Sequence, residues 1–147
     1  MSEDQVRILI VEARFYSDLA DELLRGATDA LQAYGAAYDV VTVPGALEIP
    51  GAIAMAHEAH RHPTAGAPYD GYVALGTVIR GETYHFELVA NESGAGVTRV
   101  SLDHQVPIAN AILTVENEAQ ALARVEDKAR DAARVAVEMA NLMDDLL

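Results

Sequence analysis

The sequence has no cysteine, no tryptophan and a single lysine, Lys128. The lack of cysteine excludes disulfides, thiolate zinc sites, iron–sulfur clusters and a cysteine nucleophile. The scarcity of lysine argues against a Walker-type phosphate loop, which needs a lysine beside its glycines. Aromatic residues are also few, at six tyrosines and two phenylalanines, so the chain has little bulky apolar mass.

Basic residues are outnumbered, with 10 Lys and Arg against 23 Asp and Glu and a formal net charge of −13. This balance argues against a nucleic acid partner and against an anionic membrane surface. No apolar run approaches the roughly 20 residues that span a bilayer. Met1–Gln5 also lacks the basic residues of a signal peptide. We therefore expect a cytoplasmic protein that binds neither nucleic acid nor membranes.

Alanine is abundant instead, at 27 of 147 residues, within a hydrophobic content of 51%. This content is enough to build a core and argues against disorder. The length is typical of one domain, which we predict to span residues 1–147.

Short β-branched runs alternate with segments of helical periodicity along the chain. Strands are predicted at Val6–Ala13, Tyr38–Val43, Gly71–Val78 and Val106–Thr114. Helices are predicted at Ser17–Tyr34, Leu47–His60, Glu82–His104, Glu116–Arg124 and Asp127–Leu147. The last two of these segments form either one helix or two. The alternation predicts an α/β fold, a flavodoxin-like three-layer α/β/α sandwich with a four-stranded parallel sheet.

Ligands of open parallel sheets bind beyond the carboxyl ends of the strands. Two residues at these ends have both a functional and a structural interpretation. Phe15, after the first strand, either stacks on a planar heterocycle or caps the core or a subunit contact. Glu48, after the second strand, either accepts hydrogen bonds from sugar-like hydroxyls or is a solvated carboxylate in a first helical turn.

The segment after the third strand, Gly76–Phe86, holds the most candidate chemistry. A junction from strand to glycine to helix, here at Gly81, exposes backbone amides to an anion, and Thr83 adds a hydroxyl. His85 lies in the predicted first turn, where the helix dipole disfavours its cation and favours a neutral imidazole that can act as a base. The alternative is that His85 is a surface or capping residue.

Two other motifs fail on inspection. The run His57–His60 has the start of the zinc-protease pattern HExxH, but Arg61 stands where the second histidine belongs. The pair Gly94 and Gly96 lacks the third glycine of a dinucleotide-binding loop and follows no strand. No metal site is therefore predicted.

The ends of the four predicted strands carry the motifs Arg14–Tyr16, Val43–Pro50, Gly76–Phe86 and Ile112–Ala121. Taken together, these motifs resemble the lumazine synthase (6,7-dimethyl-8-ribityllumazine synthase) family. The match runs from about Val6 to Arg124 in the right order and spacing.

The resemblance implies an enzyme of riboflavin biosynthesis that works without cofactor or metal. It would condense 5-amino-6-ribitylaminouracil with 3,4-dihydroxy-2-butanone 4-phosphate, releasing phosphate and water. His85 would transfer protons. The substrate-binding residues that it implies are Phe15, Ala46, Leu47, Glu48, Val78, Ile79, Gly81, Glu82, Thr83, Asn110 and Arg124.

By the same resemblance, Phe15 would stack on the pyrimidine and Arg124, from the same or a neighbouring subunit, would pair with the phosphate. Asn110 falls where the family places a residue that reaches across a subunit interface. The partners implied are these small-molecule substrates and further copies of the chain, as a homopentamer or a larger assembly built from pentamers.

The sequence departs from the family pattern at two places. Asn110 stands where many members carry an aromatic residue, so it would hydrogen-bond and not stack. Members also carry a Lys-Gly loop after the arginine, whereas here Arg124 leads directly into Lys128 and no glycine follows Gly96. Lys128 is the one candidate for a second phosphate cation. These departures leave two alternatives to an active enzyme, a paralogue that binds ribityl compounds or flavin, and a pentameric scaffold.

Overall fold

The computed structural model describes residues 5–147. Four strands are present, β1 (Arg7–Ala13), β2 (Ala37–Val43), β3 (Gly71–Ile79) and β4 (Ile108–Val115). Four helices alternate with them, α1 (Ser17–Ala33), α2 (Ile49–Ala59), α3 (His85–His104) and α4 (Glu118–Leu146). A short 3₁₀ turn, Ala46–Glu48, precedes α2.

The strands form one parallel sheet in the order β2-β1-β3-β4. Alternate residues of β1 face opposite layers, because strand side chains alternate between the two sides of a sheet. Ile8 and Ile10 pack in a cluster with α1 and α4. Leu9 and Val11 pack in a second cluster with α2 and α3. The predicted three-layer, flavodoxin-like α/β/α sandwich is confirmed.

Small residues allow the helices on each face to approach closely. A Cβ on Gly26 of α1 would lie 3.1 Å from the Glu126 carbonyl oxygen and 3.2 Å from the Ala129 Cβ of α4. A Cβ on Gly96 of α3 would lie 2.7 Å from Pro50 Cγ of α2. Gly96 is therefore a packing residue, and α3 runs without interruption through Gly94 and Gly96.

Three predicted helix starts change near the strand ends, because α2 begins at Ile49, α3 at His85 and α4 at Glu118. Helix α3 begins at His85, so Glu82 and Thr83 belong to the preceding turn. The C-terminal segment is one helix, α4. Its start is fixed by Asn117, whose Oδ1 accepts from the Gln120 N–H at 2.9 Å, while Gln120 Oε1 accepts from the Glu116 N–H at 2.8 Å. This reciprocal capping satisfies amides that would otherwise lack a partner at the helix N-terminus.

Within residues 5–147, no helix is both long and apolar enough to cross a membrane. The same part of the chain contains no group of three or more His, Asp or Glu side chains placed to hold a metal ion.

Candidate active site

The carboxyl ends of β1, β2 and β3 open on a cavity of about 390 Å³, here called the strand-end cavity. Its walls come from the segments that follow these three strands and from the first turn of α3. Nine of the predicted site residues line it, namely Phe15, Ala46, Leu47, Glu48, Val78, Ile79, Gly81, Thr83 and His85. Three distant stretches of sequence are thus brought to one place by the parallel sheet.

Phe15 stands at the edge of this cavity with 77% of its surface exposed. Its ring lies edge-on to Tyr16, with 4.9 Å between the ring centroids. Tyr16 itself packs against the core on the α1 and α4 side. Phe15 therefore does not cap the core of its own chain, and its ring is open to a ligand or a subunit.

The turn after β2 forms a second wall. Ala46 is buried, whereas Leu47 and Glu48 are exposed. The Glu48 N–H donates to the Gly45 carbonyl at 3.1 Å. The Glu48 carboxylate folds back over the turn, since a Cβ on Gly45 would lie 3.1 Å from its Oε1. Because Gly45 has no side chain, it leaves room for the Glu48 carboxylate, a hydrogen-bond acceptor, at the cavity wall.

The junction between β3 and α3 forms the third wall. His85 is the first residue of α3 and is exposed, and its N–H donates to Thr83 Oγ1 at 3.3 Å. Nothing would lie within 4 Å of a Cβ on Gly81, so the backbone there is open. The imidazole, the hydroxyl and the start of a helix thus share one side of the cavity. Glu82 is exposed and does not line it.

One predicted site residue, Arg124, lies elsewhere, at a second cavity of about 560 Å³ between β4 and α4, here called the edge cavity. Arg124 and Lys128 both line it, one helical turn apart on α4, together with Asp127 and Asp131. Arg124 Nη1 donates to the Gln120 carbonyl at 2.9 Å. A single chain therefore keeps these two cations apart from His85.

Asn110 is on β4, the edge strand beside this cavity, and is exposed. Its Oδ1 accepts from the N–H of Ile112 at 2.8 Å, within the same strand. One hydrogen-bonding atom of the side chain is thus used internally, whereas the amide group remains free to donate.

Arg80 was missed by the sequence reasoning, although it stands in the motif after the third strand. Its Nε donates to both carboxylate oxygens of Glu116, at 2.9 and 2.8 Å, and its Nη1 to Glu87. Its guanidinium lies over the Phe86 ring, 4.5 Å from the centroid. The hydrogen bonds that Arg80 donates to Glu116 and Glu87 raise the pKa of Arg80, and the bond to Glu87 lowers the pKa of Glu87. The ion pairs tie the β3–α3 junction to the end of β4.

Comparison with known proteins agrees with these features. Residues 5–144 match the family model described as 6,7-dimethyl-8-ribityllumazine synthase. The chain belongs to this family. It is 60% identical over 146 residues to the 6,7-dimethyl-8-ribityllumazine synthase of Methylibium petroleiphilum, covering 97% of this chain and 87% of the relative. It is 56% identical over 143 residues to the protein of that name from Agrobacterium fabrum, covering 95% of each.

The family assignment confirms the resemblance drawn from the four strand-end motifs. Most residues that this lumazine synthase family member was predicted to use line one cavity. Thr77 also lines it, and was not predicted, although it falls inside the Gly76–Phe86 motif. Its Oγ1 is buried without a hydrogen-bond partner among residues 5–147.

Proposed function

We propose that the strand-end cavity is where this lumazine synthase family member condenses 5-amino-6-ribitylaminouracil with 3,4-dihydroxy-2-butanone 4-phosphate. The observation that carries the proposal is the convergence of Phe15, Glu48 and His85 on one cavity from three different strand ends. An aromatic ring, an acceptor for hydroxyls and a proton-transfer group are the chemical requirements of this pair of substrates.

The pyrimidine would lie against Phe15, with its edges facing the backbone of Val78 and Ile79. An exposed aromatic ring at a cavity mouth can stack on a planar heterocycle. The ribityl hydroxyls would reach Ala46 and Glu48, where the carboxylate oxygens accept hydrogen bonds.

His85 would move the protons of the reaction. The amine of the uracil attacks the ketone, and both of its protons must leave as the carbonyl oxygen departs as water. Loss of phosphate then requires removal of a proton from carbon. Attack of the ribityl-bearing nitrogen on the second carbonyl closes the ring and releases a second water. A histidine held at the cavity wall can accept and return these protons, while holding the two substrates together supplies much of the remaining acceleration.

The phosphate would bind among the amides around Gly81 and Thr83, at the start of α3. Amides that lack a partner at a helix N-terminus favour an anion. Arg124 would add a bidentate positive partner, and Lys128, which lines the same edge cavity, would contribute a second charge.

Because Asn110 lies on the edge strand β4 and Arg124 on α4, we propose that they serve the strand-end cavity of a neighbouring copy. Such an interface joins two different patches of the same chain. Repeated head-to-tail contacts of this kind close into a ring, in line with the expected homopentamer or larger pentamer-based assembly. A cytoplasmic location stays a prediction from the sequence.

Mixing the purified chain with both substrates and following lumazine absorbance tests the reaction. We expect product well above the uncatalysed rate. If none forms, titration with the product or with riboflavin separates a binding paralogue, which saturates, from a scaffold, which does not. Light scattering tests the shared site, because a monomer of the chain mass would contradict it.

A further inference from the structure

Glu12 is a carboxylate in the interior, 3% exposed on β1, that the proposed chemistry does not use. Its Oε1 accepts from Arg14 Nη1 at 2.7 Å, and its Oε2 accepts from Thr42 Oγ1 of β2 at 2.7 Å. Burying a carboxylate is costly unless its oxygens are paired. Both oxygens are paired here, so the carboxylate is held in one position and offers a fixed partner to Arg14.

The second terminal nitrogen of Arg14, Nη2, contacts α1, the helix that follows β1. Its Nη2 donates to the carboxylate of Asp21 in α1 and to the Ser17 carbonyl, the latter at 3.4 Å. Burial alone would lower the pKa of Arg14, but its bonds to Glu12 and Asp21 raise it, so the guanidinium stays charged. One side chain thus bridges β1 to the first turns of α1.

Phe15 lies inside the segment that this bridge spans. The ring is 77% exposed, so its own packing contributes little to holding it in place. The path of the backbone from Arg14 to Ser17 must therefore decide where the ring stands. That path is tied at both ends by the Arg14 guanidinium.

We propose that Glu12 and Arg14 are positioning residues for Phe15, holding its ring where the pyrimidine substrate stacks. The proposal rests on the proposed function, in which Phe15 forms that wall of the strand-end cavity. Neither Glu12 nor Arg14 lines the cavity. Their effect reaches the substrate through the backbone of the segment.

The test compares Arg14→Met with Arg25→Met in steady-state kinetics with both substrates. Arg25 makes a comparable ion pair with Glu22, but on the exposed surface of α1. We expect Arg14→Met to raise KM for the ribitylaminouracil about tenfold, the effect of losing a bond to a charged group. KM for the butanone phosphate and kcat should stay within about twofold, and Arg25→Met should change none of the three constants.

Arg14→Met leaves a buried carboxylate without its cation and can prevent folding. The double variant Glu12→Gln with Arg14→Met removes both charges and retains an acceptor for Thr42. Its thermal unfolding shows that the chain is folded, and it should show the same selective rise in KM. Glu12→Gln alone keeps the shape of the side chain, and it should raise KM for the ribitylaminouracil by a smaller factor.

A double-mutant cycle with Phe15→Ala separates positioning from a general structural role. If Arg14 acts through Phe15, Arg14→Met should change KM for the ribitylaminouracil less than about twofold in the Phe15→Ala background. Independent multiplication of the two effects, or an equal rise in both KM values, would overturn the proposal. A Phe15→Ala variant with unchanged KM would instead contradict the proposed stacking, which distinguishes the two failures.

Discussion

The two ends of the sheet both carry polar and aromatic side chains, but the cavities that residues 5–147 form at these two ends differ greatly in volume. At the carboxyl end the segments after the strands leave about 390 Å³ open beside Phe15 and His85. At the amino end, the space beside Arg7 and Tyr69 is about 40 Å³. The two cavities differ in volume because the polar side chains at the amino end contact one another and leave no space for a ligand.

Side chains at the amino end contact one another closely. The Tyr69 hydroxyl donates to Asp39 Oδ2 at 2.7 Å, and the Arg7 guanidinium lies 5.4 Å from the Tyr69 ring centroid. The Tyr69 ring lies edge-on to His60 and Tyr72. Burial, with a smaller effect of Tyr69, raises the pKa of Tyr72 to about 12. This end should therefore govern stability, and the carboxyl end should govern kinetics.

The largest effect is expected from His85→Ala at the carboxyl end. Removing the proposed proton-transfer group should lower kcat by about 10²- to 10⁴-fold. KM for the ribitylaminouracil should change far less, because Phe15 and Glu48 remain. Rapid-mixing measurements of lumazine formation give both constants, and an unchanged kcat would remove His85 from the mechanism.

Arg124→Ala should raise KM for the butanone phosphate by about 10- to 100-fold, since a charge-assisted bond is lost. Lys128→Met should also raise KM for the butanone phosphate, but by less, because its ammonium is one turn further along α4. Steady-state kinetics with each substrate varied in turn measure both. An effect confined to the ribitylaminouracil would contradict the assignment of these cations.

Tyr69→Phe tests the amino end. Loss of the hydroxyl bond to Asp39 should lower the free energy of unfolding by about 1 kcal/mol, with kcat and both KM values unchanged. Urea denaturation measures the first and the lumazine assay the others. A kinetic effect as large as that of Arg124→Ala would erase the contrast between the two ends.

The smallest effect is a pH dependence of stability at the amino end. Burial, with the nearby charge of His104, lowers the pKa of His57, and its ring centroid lies 4.9 Å from that of His104. Glu58 acts in the opposite sense, whereas Arg61 and His60 add to the lowering. The unfolded chain therefore binds the proton first as pH falls below the usual histidine pKa, about 6.5.

The free energy of unfolding should accordingly decrease as pH falls through the range between the unfolded and the lower folded pKa of His57. His57→Gln should flatten this decrease, and His62→Gln, at an exposed position, serves as the control. Denaturant titrations at a series of pH values measure the slope. A slope that His57→Gln leaves unaltered would assign the titration to another group.

The strand ends show why so much of the site could be predicted. Parallel strands start at one end of a sheet and finish at the other, so the residues after each strand meet whatever the loop lengths. The convergence of Phe15, Glu48 and His85 on one cavity was predicted in this way. Glu82 does not line this cavity, and α3 begins three residues later than its sequence pattern indicated.

Asn110 and Arg80 illustrate the limits of a pattern. The Asn110 amide oxygen bonds the N–H of Ile112, a local contact that depends on the free edge of β4. Arg80 finds carboxylates that are 7 and 36 residues away along the chain. The spacing of residues along the sequence does not predict such hydrogen bonds, because they depend on how the helices and strands pack.

The sequence by itself determined the strand and helix order, the layers of the fold and the family, because periodicity and strand-end motifs are local features of the chain. The tertiary structure alone decided the continuity of α4, the separation of Arg124 from His85 and the bridge from Glu12 through Arg14 to Asp21. These features depend on distances between elements. Such distances follow from how side chains pack, as at Gly26 and Gly96, and not from their order along the chain.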